Sequence, residues 1–283
     1  MTADDHRVTQ FRALHEAGCF VMPNPWDAGS ARVLEHLGAR ALATTSAGFA
    51  WTRGQADTQA PLGAVLEHLR AVVEAVSVPV NADFEGGYAV EPEEVGANVA
   101  RAVRTGVAGL SIEDSSGRVE APLLDLDLAV TRIAAARAAI DESGSGVVLT
   151  GRSEGFVVGR PDIDETIKRL RAYADAGADC LYAPRIDRIE HVRAIVEAVK
   201  PLPVNLLINA PFITVAEAAG LGVRRVSVGG TLARAAWGAR AAWGGWLDAA
   251  REIVQEGTFS GFSALPDVNG LIGGLGTRSG KDA

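Results

Sequence analysis

Residues 78–113 read VPVNADFEGGYAVEPEEVGANVARAVRTGVAGLSIE and divide into a strand, a helix and a second strand. Residues 78–83 are a short apolar run. Residues 92–104 carry Val95, Val99 and Val103 on one helical stripe, and 109–113 turn apolar again. Strand, helix, strand at this spacing is the repeating unit of a parallel sheet. The first strand runs into Asp83 and Glu85 at alternate positions. In an extended chain both carboxylates leave on one side, an arrangement that suits a hard divalent cation. Gly86 and Gly87 permit a turn or a close backbone approach. A solvated acidic turn after a strand is the plainer reading of the same residues.

The alternation extends in both directions. Strands are expected at 19–22, 41–45, 78–83, 109–113, 147–152, 180–183, 203–208 and 225–228. Helices are expected at 27–37, 61–76, 92–104, 126–140, 162–176, 189–199, 214–221 and 231–254. One connection, 46–60, is long for a compact domain, and loops of that length usually carry function. Eight strand-then-helix units predict a closed (β/α)8 barrel of the TIM type, with a doubly wound sheet as the alternative. One domain over 1–258 is expected, followed by a Gly- and Ser-rich tail, 259–283.

A chain of 283 residues with 48% hydrophobic content can bury a sizeable core. Its net charge of −8 and lack of a basic run argue against nucleic acid as a partner. The start, MTADDHRVTQ, has no apolar segment of a secretory signal, and no apolar run approaches transmembrane length. Cys19 and Cys180 lack metal-ligand spacing and read as reduced thiols. The expectation is a cytoplasmic protein with a small-molecule substrate and no membrane partner.

Barrel active sites lie at the C-terminal ends of the strands. Here those ends carry Thr45 and Ser46, Asp83 and Glu85, Glu113 and Asp114, Arg152 and Glu154, Arg185, and Asn209. Acids crowded into one mouth raise one another's pKa, and a cation would relieve them. His6, His15, His36, His68 and His191 fall in the N-terminal region or on expected helices, so the ligands are oxygens. That favours Mg2+, with Mn2+ as its substitute, over zinc. Lys168, Lys200 and Lys281 lie away from the strand ends, which disfavours a Schiff-base mechanism. Arg152 presents a fork of donors matched to a carboxylate or phosphonate, with a salt bridge to Glu154 or Glu113 as its structural alternative.

Four pieces in order, ATTSAGFAWTRGQAD (43–57), NADFEGGY (81–88), SIEDS (111–115) and TGRSE (150–154), resemble the isocitrate lyase and phosphoenolpyruvate mutase superfamily. The resemblance spans roughly residues 15–255. It implies a magnesium-dependent enzyme that breaks or forms a C–C or P–C bond next to a carboxylate through an enolate-like species. It also implies that Asp83, Glu85 and Glu113 hold the metal. Thr45, Ser46 and Ala47 would hold the substrate carboxylate, Arg152 would contact the substrate, and Asp57 would stand near the reacting centre. Asn209 is read as a substrate contact or a turn cap.

The gate after the fourth strand departs from the family. Lyases carry a Lys-Cys-Gly-His motif there and mutases a lysine and an asparagine, whereas this chain reads EDSSGRVEAPLLDLD (113–127). Ser115, Ser116 or Arg118 would then line the gate, and Asp57 could serve as the acid or base if closure raises its pKa. The leading expectation is a C–C lyase acting on a small 2-oxo or 2-hydroxy acid. A P–C mutase or hydrolase and a non-catalytic small-molecule binder are the alternatives. Asp27 reads as the N-cap of its helix rather than a ligand, and Gly229–Gly230 as tight packing or an anion cradle. Trp237, Trp243, Trp246 and Leu247 make the last helix more apolar than a half-wetted helix requires. In the family that helix is exchanged between subunits, which implies a homo-oligomer, a dimer of dimers.

Overall fold

The structure, a computed structural model, describes residues 3–238. Its strands are β1 Phe20–Met22, β2 Leu42–Ala43, β3 Val80–Asp83, β4 Gly109–Glu113, β5 Val148–Arg152, β6 Cys180–Tyr182, β7 Val204–Leu207 and β8 Arg225–Ser227. Every ladder is parallel, and the spatial order β1-β8-β7-β6-β5-β4-β3-β2 follows the chain around the sheet. A doubly wound sheet would reverse direction partway, so the barrel expectation holds and the alternative falls.

The seam between β1 and β2 is closed by the Ala43 amide, which donates to the Pro23 carbonyl at 3.1 Å. Buried Asn24 completes it. Its Nδ2 donates to the Thr44 carbonyl at 3.0 Å, and its Oδ1 accepts the amides of Val228 and Gly229, each at 2.9 Å. Those two amides are thereby used for packing, which favours the plain reading of the Gly229–Gly230 turn.

The outer layer holds α2 (Ala28–His36), α4 (Leu62–Ala75), α5 (Pro92–Val103), α6 (Leu126–Ser143), α7 (Ile163–Asp175), α8 (Ile189–Val199), α9 (Val215–Gly220) and α10 (Thr231–Gly238). These helices begin where local chemistry lets them. Asp27 caps α2 in a reciprocal capping box with Ser30, as expected, and Thr214 does the same for α9 with Glu217. In α4 the residues Val65, Leu66, Leu69, Val72 and Val73 form the buried stripe. The rest of the expected last helix and the tail 259–283 lie outside the described residues. Among the described residues no helix is long and apolar enough to cross a membrane.

Strand alternation sorts the residues in an unusual sense. Val80, Ala82, Leu110, Ile112, Leu149, Leu206 and Val226 belong to the apolar core shared with the helices. The alternate positions Asn81, Asp83, Ser111, Arg152, Asn205, Arg225 and Ser227 line a cavity inside the barrel. The interior is therefore polar where barrels are commonly filled by branched apolar side chains.

Two elements were not expected. Residues Ala3–Glu16 form a helix, α1, whose Val8, Phe11 and Leu14 are buried. A Cβ on Gly109 would stand 2.6 Å from the Phe11 ring, so only glycine lets α1 seat against β4. Second, the expected loop 46–60 begins with a helix, α3 (Ser46–Thr52), whose N-cap is Thr45, with the Thr45 side chain accepting the Gly48 amide.

Candidate active site

Arg152 stands at the end of β5 among acids from the ends of β3, β4 and its own strand. Its Nη1 lies 3.0 Å from Asp83 Oδ1 and 3.2 Å from Glu113 Oε2, and its Nε 2.5 Å from Glu154 Oε1. The guanidinium carbon is 5.3 Å from the ring centre of Tyr182, a cation–π contact that the sequence reading did not single out. Burial opposes the charge on Arg152, yet Glu113, Glu154 and Asp83 together push its pKa well up. Burial in turn pushes Glu113 well above the carboxylate range, against the pull of Arg152.

Asp114 does not join this group. Adjacent residues of a strand face opposite sides, and Asp114 turns away from the mouth. There it accepts the Glu154 amide at 2.7 Å, the Tyr173 hydroxyl at 2.6 Å and Arg169 Nη1 at 3.2 Å. It fastens the end of β4 to the end of β5 and so fixes the backbone that carries Glu154.

Glu85 reaches the site by a different route from the one expected. β3 ends at Asp83, and Glu85 has a φ of 47°, so a left-handed turn rather than strand alternation aims its carboxylate. Arg132, buried on α6, holds that turn through the carbonyls of Gly86, Ala89 and Glu113. The Glu85 carboxylate accepts the Tyr88 hydroxyl at 2.9 Å. Burial, with Asp83 as the next cause, lifts its pKa to about 7. His68 lines the same small recess, stacked on Phe49 at 4.1 Å, with its buried Nε2 unpartnered among the described residues. Its place inside an apolar helical stripe hid it from a reading of strand ends.

The start of α3 faces these acids. The Ser46 amide donates to Asp83 Oδ2 and the Ser46 hydroxyl to Asp57 Oδ1, each at 3.0 Å. At a helix start the first amides have no acceptor within the helix. Asp83 takes that of Ser46 and the Thr45 hydroxyl that of Gly48, which leaves the Ala47 amide with no intrahelical acceptor. Asp57 stands at the rim, its pKa raised by lost hydration and by Asp83.

Thr45, Ser46, Ala47, Asp57, Asp83 and Arg152 share one cavity of about 300 Å³ with Asn209, Arg185, Arg225 and Arg234. Asn209 is exposed there, and none of the hydrogen bonds among the described residues caps a turn with its side chain. Glu85 and Glu113 stand beside this cavity rather than on its wall.

A metal is a matter of chemistry here. Among the described residues no three acids, histidines or cysteines converge as a ready-made ligand cluster. Arg152 sits between Asp83 and Glu113 as their neutralising cation. The donors are nonetheless all oxygens, and Glu85, Glu113 and Asp57 are each held above their ordinary pKa. One arginine leaves that group short of positive charge, and the deficit fits a hard divalent ion.

A parallel barrel that gathers acids and an arginine from successive strand ends around one small cavity has the frame of a barrel enzyme. The chain belongs to the phosphoenolpyruvate phosphomutase family, whose model matches residues 11–244, and so to the isocitrate lyase and phosphoenolpyruvate mutase superfamily of lyases and mutases. A crystal structure of a protein from Burkholderia cenocepacia J2315, provisionally assigned as a lyase/mutase, is 43% identical. It covers 95% of this chain and 96% of that one with a TM-score of 0.84. Oxaloacetate decarboxylase of Paraburkholderia xenovorans (strain LB400) is 29% identical over 75% of this chain and 71% of its own. The structure of an oxaloacetate acetylhydrolase in complex with the product oxalate is 26% identical, covering 96% of this chain and 94% of that one with a TM-score of 0.81.

Proposed function

We propose that the protein is a Mg2+-dependent lyase that cleaves or forms the C–C bond next to a carboxylate in a small 2-oxo or 2-hydroxy acid. The observation that carries this reading is the position of Arg152, tied to Asp83, Glu113 and Glu154 at one end of a cavity of about 300 Å³ that three further arginines line. A small anion fits that charge, and the volume lies at the lower end of small-molecule sites. When bound, magnesium would be held by Asp83, Glu85 and Glu113 and would supply Lewis-acid stabilisation to an enolate oxygen.

The chain's own groups do the rest. As the C–C bond breaks, its electron pair enters the enolate of the carboxylate-bearing fragment, and Arg152 donates to the oxygen on which charge develops. The Ala47 amide and the Thr45–Ser46 turn orient the substrate carboxylate. Asp57, within reach of that turn and raised in pKa, moves the proton. A gate without cysteine, histidine or lysine leaves water or solvent protons to quench the enolate, which suits decarboxylation or hydrolysis of a 2-oxo diacid.

The test is thermal unfolding with magnesium, with oxalate, and with both, followed by an assay of oxaloacetate consumption. Oxalate mimics the enolate, and a ligand at a hundred times its Kd adds about 2.7 kcal/mol. A rise that needs both, together with turnover, supports the reading. Absence of both sinks it. The family's own description favours a second reading, rearrangement or hydrolysis of a P–C bond, and turnover of a phosphonate but of no 2-oxo diacid would select it.

A further inference from the structure

We propose that the floor of the cavity is an anion subsite centred on Arg225, taking either the far carboxylate of a diacid substrate or a small inorganic anion. The inference deepens the proposed function where the anion is a substrate carboxylate and is independent of it where the anion is inorganic.

Arg225 is 1% exposed. Its Nε donates to Asn205 Oδ1 at 2.9 Å, its Nη2 to Thr150 Oγ1 at 2.9 Å, and its Nη1 to His15 Nε2 at 3.2 Å. All three partners are neutral. The Phe11 carbonyl can only accept, so His15 Nδ1, 2.7 Å away, carries the proton and Nε2 is the free acceptor. Burial and then Arg225 lower the His15 pKa to about 3, which keeps the ring uncharged. Asp179, at the foot of the barrel, is already shared by Arg12 and Arg137.

A fully buried guanidinium normally has a counter-charge. Arg152 and Arg169 have theirs, and buried Arg132 is held by three backbone carbonyls, whereas Arg225 has neither a carboxylate nor a backbone carbonyl as a partner among the described residues. Each of its Nη atoms carries a second N–H beyond the bonds above. Arg225 also lines the same cavity as Arg152, together with Ser111, Asn205 and Ser227. On that wall Asn81, 3% exposed, has a buried Oδ1 with no partner among the described residues. Cations thus stand at both ends of the cavity: Arg152, Arg185 and Arg234 lie amid the acids toward its mouth, and Arg225, with no carboxylate paired to it among the described residues, sits at its floor. A diacid held by one carboxylate near Arg152 finds at the floor a second guanidinium that no carboxylate pairs with.

Asn205→Asp tests this directly, because it places a carboxylate of equal size against Arg225 and supplies the missing charge from within. Thermal unfolding is followed without magnesium, in sodium chloride against sodium gluconate at one ionic strength, and with succinate against propionate. The wild type should gain stability in chloride, or from succinate over propionate. N205D should unfold at a higher temperature without added anion and lose that response at least tenfold in half-saturating concentration. A chloride response alone identifies the occupant as inorganic, and a succinate preference alone identifies it as the substrate's carboxylate. A wild type indifferent to both comparisons, or an N205D protein that responds as the wild type does, overturns the proposal. The readout needs neither magnesium nor turnover, so failure of the lyase reading leaves the chloride comparison intact.

Discussion

Arg152 Nη1 bridges Asp83 Oδ1 at 3.0 Å and Glu113 Oε2 at 3.2 Å, and so ties the ends of β3, β4 and β5 through one nitrogen. Arg152→Lys keeps the charge and loses the fork. It is expected to lower kcat by about 10² to 10³, the usual cost of one preorganised donor, with little change in melting temperature. Arg152→Ala leaves buried acids without a counter-charge and should cost about 3 to 5 kcal/mol, read by urea denaturation. Equal stability of the alanine and lysine variants would show that the acids are neutralised by another group.

Glu85 titrates at about 7 in the fold, where a free glutamate titrates near 4.5. The folded state therefore holds a proton that the unfolded state has lost between those values. The stability this group contributes is complete below pH 4.5 and is lost as pH rises through 7. Wild type should lose stability relative to Glu85→Gln over that window, by at most about 3 to 4 kcal/mol at 1.4 per pH unit. Saturating magnesium should reverse the trend, because a ligand carboxylate must give up its proton. Calorimetry in two buffers of different ionisation enthalpy at pH 6 should then find proton release on magnesium binding.

Asp57 accepts from the Ser46 hydroxyl at 3.0 Å, and that bond opposes the rise that burial and Asp83 impose on its pKa. As a base it works ionised, so kcat/KM should climb as pH rises through its raised pKa. Asp57→Asn should flatten that limb and lower kcat by about 10² to 10⁴. Ser46→Ala should move the limb to higher pH without abolishing it. A limb that stays in place in both variants would assign it to a different group.

What the sequence makes legible is local. Each strand ends where its apolar run ends, and Asp83, Glu113 and Arg152 could be placed at the barrel mouth from that alone. Asp114 was legible too, since neighbours in a strand diverge, but counting acids by strand obscured it. Glu85 was not, because a glutamate at positive φ is set by Arg132, which lies 47 residues away in the chain. Nor was α1. Its composition is polar, and its buried residues Val8, Phe11 and Leu14 make too thin a stripe to announce a helix. Their meaning depends on Gly109, a partner that no window of sequence around α1 contains. Arg225 likewise reads as the second of two adjacent arginines, at the first position of a strand, and only the barrel's closure turns it inward.

The seat of α1 on β4 yields the last prediction. Gly109→Ala would bring a methyl to 2.6 Å from the Phe11 ring and 2.7 Å from Asn81 Oδ1, so one of the two must shift. Overpacking of this kind costs about 1 to 3 kcal/mol. Phe11→Leu alone trims the ring and should cost a similar amount through the cavity it leaves. In the double variant the leucine yields space to the new methyl, so the two losses should sum to less than their separate values by about 1 kcal/mol. Urea denaturation of the four proteins reads that coupling. Strict additivity would mean that the clash falls on Asn81 instead, and Asn81→Ala in the Gly109→Ala background would then be the variant that recovers stability.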